Sequence, residues 1–79
     1  MIKGIDHIEL IVRDLDEYVS FLKTLGFETV RETPHHGGSV EMKPPGEGQP
    51  VFEIHQVIGE EVIGVNHIAF KVDDVNAAH

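Results

Sequence analysis

Gly4-Ile5-Asp6-His7-Ile8-Glu9-Leu10-Ile11-Val12-Arg13-Asp14 is answered 60 residues later by Gly64-Val65-Asn66-His67-Ile68-Ala69-Phe70-Lys71-Val72-Asp73-Asp74. Gly4/Gly64, His7/His67, Ile8/Ile68, Val12/Val72 and Asp14/Asp74 are identical. Ile5/Val65, Asp6/Asn66, Leu10/Phe70, Leu15/Val75 and Asp16/Asn76 keep their character. Self-similarity at a fixed offset marks one supersecondary unit begun twice. Within the first copy the residues alternate: Ile8, Leu10 and Val12 share one face, and His7, Glu9 and Ile11 share the other. A strand with one uniformly apolar face and one mixed face fits a sheet covered by a helix on a single side.

Reading outward from this strand, Asp14 is placed to cap a helix, with Glu17 three residues on in the capping-box position. Leu15, Val19, Leu22 and Leu25 supply the apolar stripe of that helix, with Tyr18 and Phe21 beside it as further packing core. Gly26 is the expected stop. Phe27 to Thr33 reads as a second strand, and His35-His36-Gly37-Gly38 as a hairpin connection into a third, Ser39 to Lys43. The run Pro44-Pro45-Gly46-Glu47-Gly48-Gln49-Pro50 is a loop. Val51 to Val57 is a fourth strand, with Phe52 and Ile54 on its apolar face and Val51, Glu53 and His55 on the other. After a connector, Gly64 to Val72 is a fifth strand, and Asp74 stands where a second helix would be capped. The reading is an α+β chain: a βαβββ module over 1–57, a connector over 58–63, and over 64–79 the first strand and helix start of an incomplete second module.

Composition narrows the functional classes. The 79 residues carry a formal net charge of −8, a balance that repels phosphate backbones and argues against nucleic acid as a partner. There is no cysteine, which removes thiol nucleophiles, disulfides and thiolate-bound metals. No apolar run approaches the roughly 18 residues of a membrane span, and no signal-peptide pattern is present, so the expected location is the cytoplasm.

Six histidines stand out in a chain with one tyrosine and no tryptophan. His7 and His67 occupy the same place in the repeat, on the face turned away from the apolar residues. Glu53 falls on that face of the fourth strand. Two imidazoles and a carboxylate on rigid strands suit Zn, Ni, Co, Mn or Fe as divalent ions, without distinguishing among them. His55 shares the face and is an alternative to Glu53. Glu9 shares it too, as a partner of His7 or as a solvated charge. His35 and His36 in their Gly-rich turn, and His79, are expected to be solvated.

The repeated starts, with the strand Val51-Phe52-Glu53-Ile54-His55-Gln56, resemble the vicinal oxygen chelate superfamily. Its members include glyoxalase I, methylmalonyl-CoA epimerase, extradiol dioxygenases and bleomycin-resistance proteins. The resemblance implies paired βαβββ modules forming a cupped sheet around a divalent metal. By position it implies His7, Glu53 and His67 as ligands, Glu53 rather than His55. It further implies chemistry of the glyoxalase or epimerase type: substrate oxygens held on the metal as a Lewis acid, an enediolate or enolate stabilised, and a carboxylate moving a proton between carbons, a role that falls to Glu53. A non-catalytic small-molecule binding module of the bleomycin-resistance kind, or an extradiol-type dioxygenase fragment, is the alternative. The counterpart of Glu53 in the second module lies beyond His79. The resemblance therefore implies completion by another chain, as a homodimer, with strand exchange one way to bring His67 beside a partner's His7 and Glu53.

Overall fold

The computed structural model describes residues 1–73, so the expectations for Asp74, Val75, Asn76 and His79 lie outside the described residues. Strand β1 (Ile2–Val12) is followed by helix α1 (Leu15–Thr24), β2 (Glu28–Thr33), a single 3₁₀ turn (His35–Gly37), β3 (Ser39–Lys43), β4 (Val51–Gln56) and β5 (Gly64–Val72). The five strands form one mixed sheet in the order β2-β3-β4-β1-β5. This is the α+β architecture expected from the sequence, with β1 and β4 parallel and every other neighbouring pair antiparallel.

Helix α1 starts and stops for local reasons. The Asp14 carboxylate accepts the Glu17 N–H at 3.1 Å, satisfying one of the donors that a helix N-terminus leaves free. At the other end, Phe27 N–H donates to Leu22 O and Gly26 N–H to Lys23 O, a Schellman closure. That closure needs a left-handed residue, and Gly26 supplies it with φ of 95°. Between the caps, α1 buries Leu22 against Val12, Val40, Met42 and Ile54, with Leu10, Leu15, Tyr18, Val19, Phe27 and Phe52 packed around them. Each such aliphatic side chain contributes about 1.5–3 kcal/mol on full burial. Phe27 and Phe52 meet edge to face at 5.6 Å.

Phe21 and Leu25 depart from the expected helical core. Both stay about half exposed, outside the cluster that Leu22 joins. Phe21 instead lines a surface cleft with Val12, Arg13, Asp14, Glu17 and Tyr18. That cleft contains no histidine.

On the opposite face of the sheet, burial takes a different form. Glu9, Ile11, Ser39 and His55 are buried there, three of them polar. The 3₁₀ turn and the connector after β4 lie over them, close enough that a Cβ added to Gly37 would come within 3.3 Å of Ile58 Cδ1. This polar, covered face is the one the alternation in β1 and β4 assigned to His7, Glu53 and His55.

Candidate metal centre

The β1–β5 ladder brings the two copies of the repeat together. Ile8 pairs with Ile68, His7 with Ala69 and Glu9 with His67, while Ile5 pairs with Phe70 and Leu10 with Val65. Of the three register shifts that interrupt this ladder, two leave Asp6 and Asn66 as the extra residues of bulges. Each bulge turns its polar side chain onto the histidine that follows. Asp6 Oδ2 lies 2.9 Å from His7 Nδ1, and Asn66 Oδ1 lies 2.9 Å from His67 Nδ1. Glu9 Oε2 is also 2.9 Å from His67 Nδ1. Carboxylate and amide oxygens only accept here, so both Nδ1 atoms donate and both Nε2 atoms carry their lone pairs outward.

Those two Nε2 atoms face one another at 3.2 Å, with the rings edge to face at 5.3 Å. Two lone pairs at that distance repel unless a proton or a cation lies between them. Ligand atoms on a tetrahedral ion with metal–nitrogen bonds of about 2.0–2.1 Å are separated by about 3.3 Å. The donor chemistry of the pair therefore fits a divalent ion of the imidazole-binding class.

Of the residues singled out from sequence, the structure brings His7 and His67 into contact, both on one chain. Strand β5 folds back on β1 of its own chain, so strand exchange is not needed for that contact: the turn over residues 57–63 is long enough to return the chain antiparallel. Glu53 sits beside Glu9 in the β1–β4 ladder and lines a cleft of ≈ 280 Å³ with Asp6, His7, Arg31, Glu41 and Val51. Arg31 reaches Glu41 at 2.7 Å, and the Glu41 carboxylate holds the guanidinium above its already high ordinary pKa. The cleft thus pairs the edge of the histidine site with one cation and several carboxylates. Among the described residues, Glu53 does not join His7 and His67 in a compact cluster of three ligand atoms.

The compact cluster that does exist is Glu9, His36 and His55, with one ligand atom from each lying within 4.8 Å of the others. Glu9 is 4% exposed, and its Oε1 lies 3.3 Å from His36 Nε2 and 3.5 Å from His55 Nδ1. His55 is fully buried, with Nε2 at 3.1 Å from Glu61 Oε2. The Ile58 N–H, first, and then His55 hold the Glu61 carboxyl below its ordinary pKa. His36 stacks on His55, ring centroids 4.6 Å apart.

His35 and His36 are both exposed, as expected of turn residues, but His36 also reaches Glu9 and His55, which the sequence did not foretell. A 3₁₀ turn with His36 at φ of 54° swings this ring inward over β4. The tandem histidines beside two glycines were the only trace of this in the sequence. Glu9 was legible as a residue of the histidine face, but its burial and its contact with three imidazoles were not.

With this geometry established, relatives can be assigned. Residues 4–79 match the Glyoxalase/Bleomycin resistance protein/Dioxygenase superfamily, and the chain belongs to it. Among solved structures it is similar to a Streptomyces coelicolor methylmalonyl-CoA epimerase variant in complex with 2-nitronate-propionyl-CoA. That match has 25% identity and a TM-score of 0.73, covering 99% of this chain and 68% of the other. A methylmalonyl-CoA epimerase in complex with methylmalonyl-CoA and ammonium gives the same identity and TM-score and is covered to 66%. The chain thus spans about two-thirds of the length of these relatives. No curated protein sequence matches it significantly. No helix among the described residues is long and apolar enough to cross a membrane.

Proposed function

We propose that this chain contributes one side of a divalent-metal centre for proton transfer at a carbon next to a carbonyl, an isomerase or lyase reaction of the glyoxalase and epimerase type. The observation that carries the reading is the His7–His67 pair, with Nε2 atoms 3.2 Å apart and Nδ1 atoms engaged by Asp6, Asn66 and Glu9. The ligand set is His7, His67 and Glu53. A bound divalent ion there would supply Lewis acidity toward substrate oxygens.

The remaining steps belong to the chain's own residues. Asp6 and Asn66 fix the tautomer and orientation of the two histidines, as hydrogen-bond partners of metal ligands do. Glu53 is the carboxylate assigned to move the proton, from the same cleft that His7 lines. Arg31 supplies the positive charge of that cleft and suits a carboxylate or phosphate on the substrate. The relatives bound to methylmalonyl-CoA and 2-nitronate-propionyl-CoA support an acyl thioester as substrate class. The half-exposed Ile68 and Phe70 of β5 support a homodimer in which a second copy covers them, and the acidic, cysteine-free composition supports a cytoplasmic setting.

The test is deuterium incorporation from D₂O into the carbon next to the thioester carbonyl of methylmalonyl-CoA, with the chain loaded with Co²⁺ and its mass in solution recorded. Exchange is expected, reduced by at least about 100-fold in His7→Ala, His67→Ala and Glu53→Gln, the lower range for losing a positioned acid–base group. A chain that takes up no Co²⁺, Ni²⁺ or Zn²⁺ would overturn the reading. Thioester binding unchanged by His7→Ala and His67→Ala would favour a metal-free binding module instead.

A further inference from the structure

We infer that Glu9, His36 and His55 form a second cation site, separate from the His7–His67 pair, that takes a small late first-row divalent ion of the Zn²⁺ class. The inference rests on this cluster alone and does not require the proposed reaction. Three donors from three elements converge: Glu9 from β1, His55 from β4, and His36 from the 3₁₀ turn. Glu9 Oε1 lies 3.3 Å from His36 Nε2 and 3.5 Å from His55 Nδ1. Ligand atoms on a four-coordinate ion with bonds of about 2.0–2.1 Å are separated by about 3.3 Å, so the two contacts of Glu9 are already at ligand spacing. The His36 ring, stacked on His55 at 15° between planes, must turn out of the stack to bring its lone pair to the same ion. Two imidazoles and one carboxylate, without the many oxygens that Ca²⁺ or Mg²⁺ demands, select the zinc-like ions.

A second observation points to the same ligand. His55 Nδ1 is buried and has no hydrogen-bond partner, although its ring is fully buried and its other nitrogen is engaged by Glu61. Buried polar atoms are rarely left unpaired, and one beside a carboxylate, under a second imidazole, has a ready occupant in a cation. Glu61 fixes the tautomer: with Nε2–H donated to a carboxylate, the lone pair stays on Nδ1. The competing arrangement is an imidazolium held between Glu9 and Glu61. There Nδ1–H would face Glu9 Oε1 at 3.5 Å, longer than a good hydrogen bond, and NMR titration with Zn²⁺ tells it apart from a metal-bound Nδ1.

The third ligand is held by backbone means. His36 takes a left-handed conformation with φ of 54°, uncommon for a residue with a side chain, and such conformations persist where surrounding contacts impose them. Here the Ser39 hydroxyl donates to His35 O at 2.8 Å, and Gly38 N–H donates to the same oxygen at 2.9 Å. The His36 side chain remains 48% exposed, which leaves the ion a path from solvent. Glu9 uses its other oxygen on His67, so one carboxylate joins the two histidine groups without either depending on the other for its donors.

The experiment is ¹⁵N NMR of the histidine rings of the 79-residue chain during titration with Zn²⁺, in the wild type and in a His7→Ala/His67→Ala double variant. The His55 Nδ1 resonance is expected to move from its lone-pair position to a metal-bound one in both proteins, with Nε2 still protonated toward Glu61. His36→Gly keeps the left-handed backbone open to the chain and removes the ligand. It should weaken Zn²⁺ at His55 by at least about 100-fold, the upper end of what removing a mere hydrogen-bond partner of a ligand costs. The inference is overturned if His55 Nδ1 does not respond to Zn²⁺ or stays protonated at saturation. Failure of the reaction centre reads out on His7 and His67 Nε2 instead, so the two ideas fall separately.

Discussion

Ile8 and Ile68, equivalent positions in the two copies of the repeat, are directly paired in the β1–β5 ladder. An antiparallel ladder centred on equivalent residues is two-fold symmetric, and the register from Gly4 to Ile11 obeys this: His7–Ala69 mirrors Glu9–His67, and Ile5–Phe70 mirrors Leu10–Val65. The two histidines each stand one residue from the axis and on the same face, and that places their Nε2 atoms 3.2 Å apart. The symmetry is broken where charge matters. His7 has a carboxylate from Asp6 in its own bulge, whereas His67 has the neutral Asn66 and draws its carboxylate from Glu9 across the ladder.

This asymmetry predicts unequal effects of removing the two bulge side chains. Asp6→Ala leaves His7 Nδ1 without an acceptor and should lower divalent-metal affinity at the pair by about 10–100-fold. Asn66→Ala should cost less, because Glu9 still orients His67. Co²⁺ titration followed by visible absorption compares the two variants.

The helix side rests on few residues. Leu22 is the one buried side chain of α1, and Leu22→Ala should destabilise the chain by about 2–5 kcal/mol. In a domain of this size that is a large part of the total, which for folded domains is about 5–15 kcal/mol. Urea unfolding monitored by circular dichroism measures the loss.

Gly26→Ala tests the helix stop. Left-handed backbone costs a residue with a Cβ about 1–2 kcal/mol, and the new Cβ would sit in ordinary contact, 3.4 Å from Pro45 Cγ. Stability should fall by that backbone cost, with no change in metal uptake, in the same unfolding assay.

The turn after β4 should respond to acid. Glu61 accepts the Ile58 N–H at 2.8 Å, and its carboxyl is held below the ordinary value of 4.5. A carboxylate depressed in the folded state adds stability that is present above the unfolded value and lost as pH falls through the folded one. Protection of the Ile58 amide, measured as its exchange rate relative to the intrinsic rate at each pH, should therefore be constant near neutrality and fall progressively below 4.5. Glu61→Gln, which keeps an acceptor oxygen but does not titrate, should flatten the dependence.

Much of the framework was legible in the residues. The alternation in Ile5–Val12, the Asp14 cap and the Gly26 stop are local signals: each depends on backbone conformation and side chains a few positions apart, so short stretches specify them. The repeat added a long-range fact, because equivalent strands carry equivalent faces, and from it came the shared side of His7, Glu53 and His67. What the sequence by itself could not set was which donors actually touch. The bulges at Asp6 and Asn66, the inward turn of His36 and the burial of Glu9 under three imidazoles arise from pairing and packing between segments far apart in the chain. A one-residue change of register, or a different sign of φ at one turn residue, would separate these groups by several ångströms while leaving every local signal intact. Composition and periodicity determined the sheet, its helix and the face that carries the chemistry; only the tertiary contacts decided that this face holds one histidine pair astride a symmetry axis and a second cluster around Glu9.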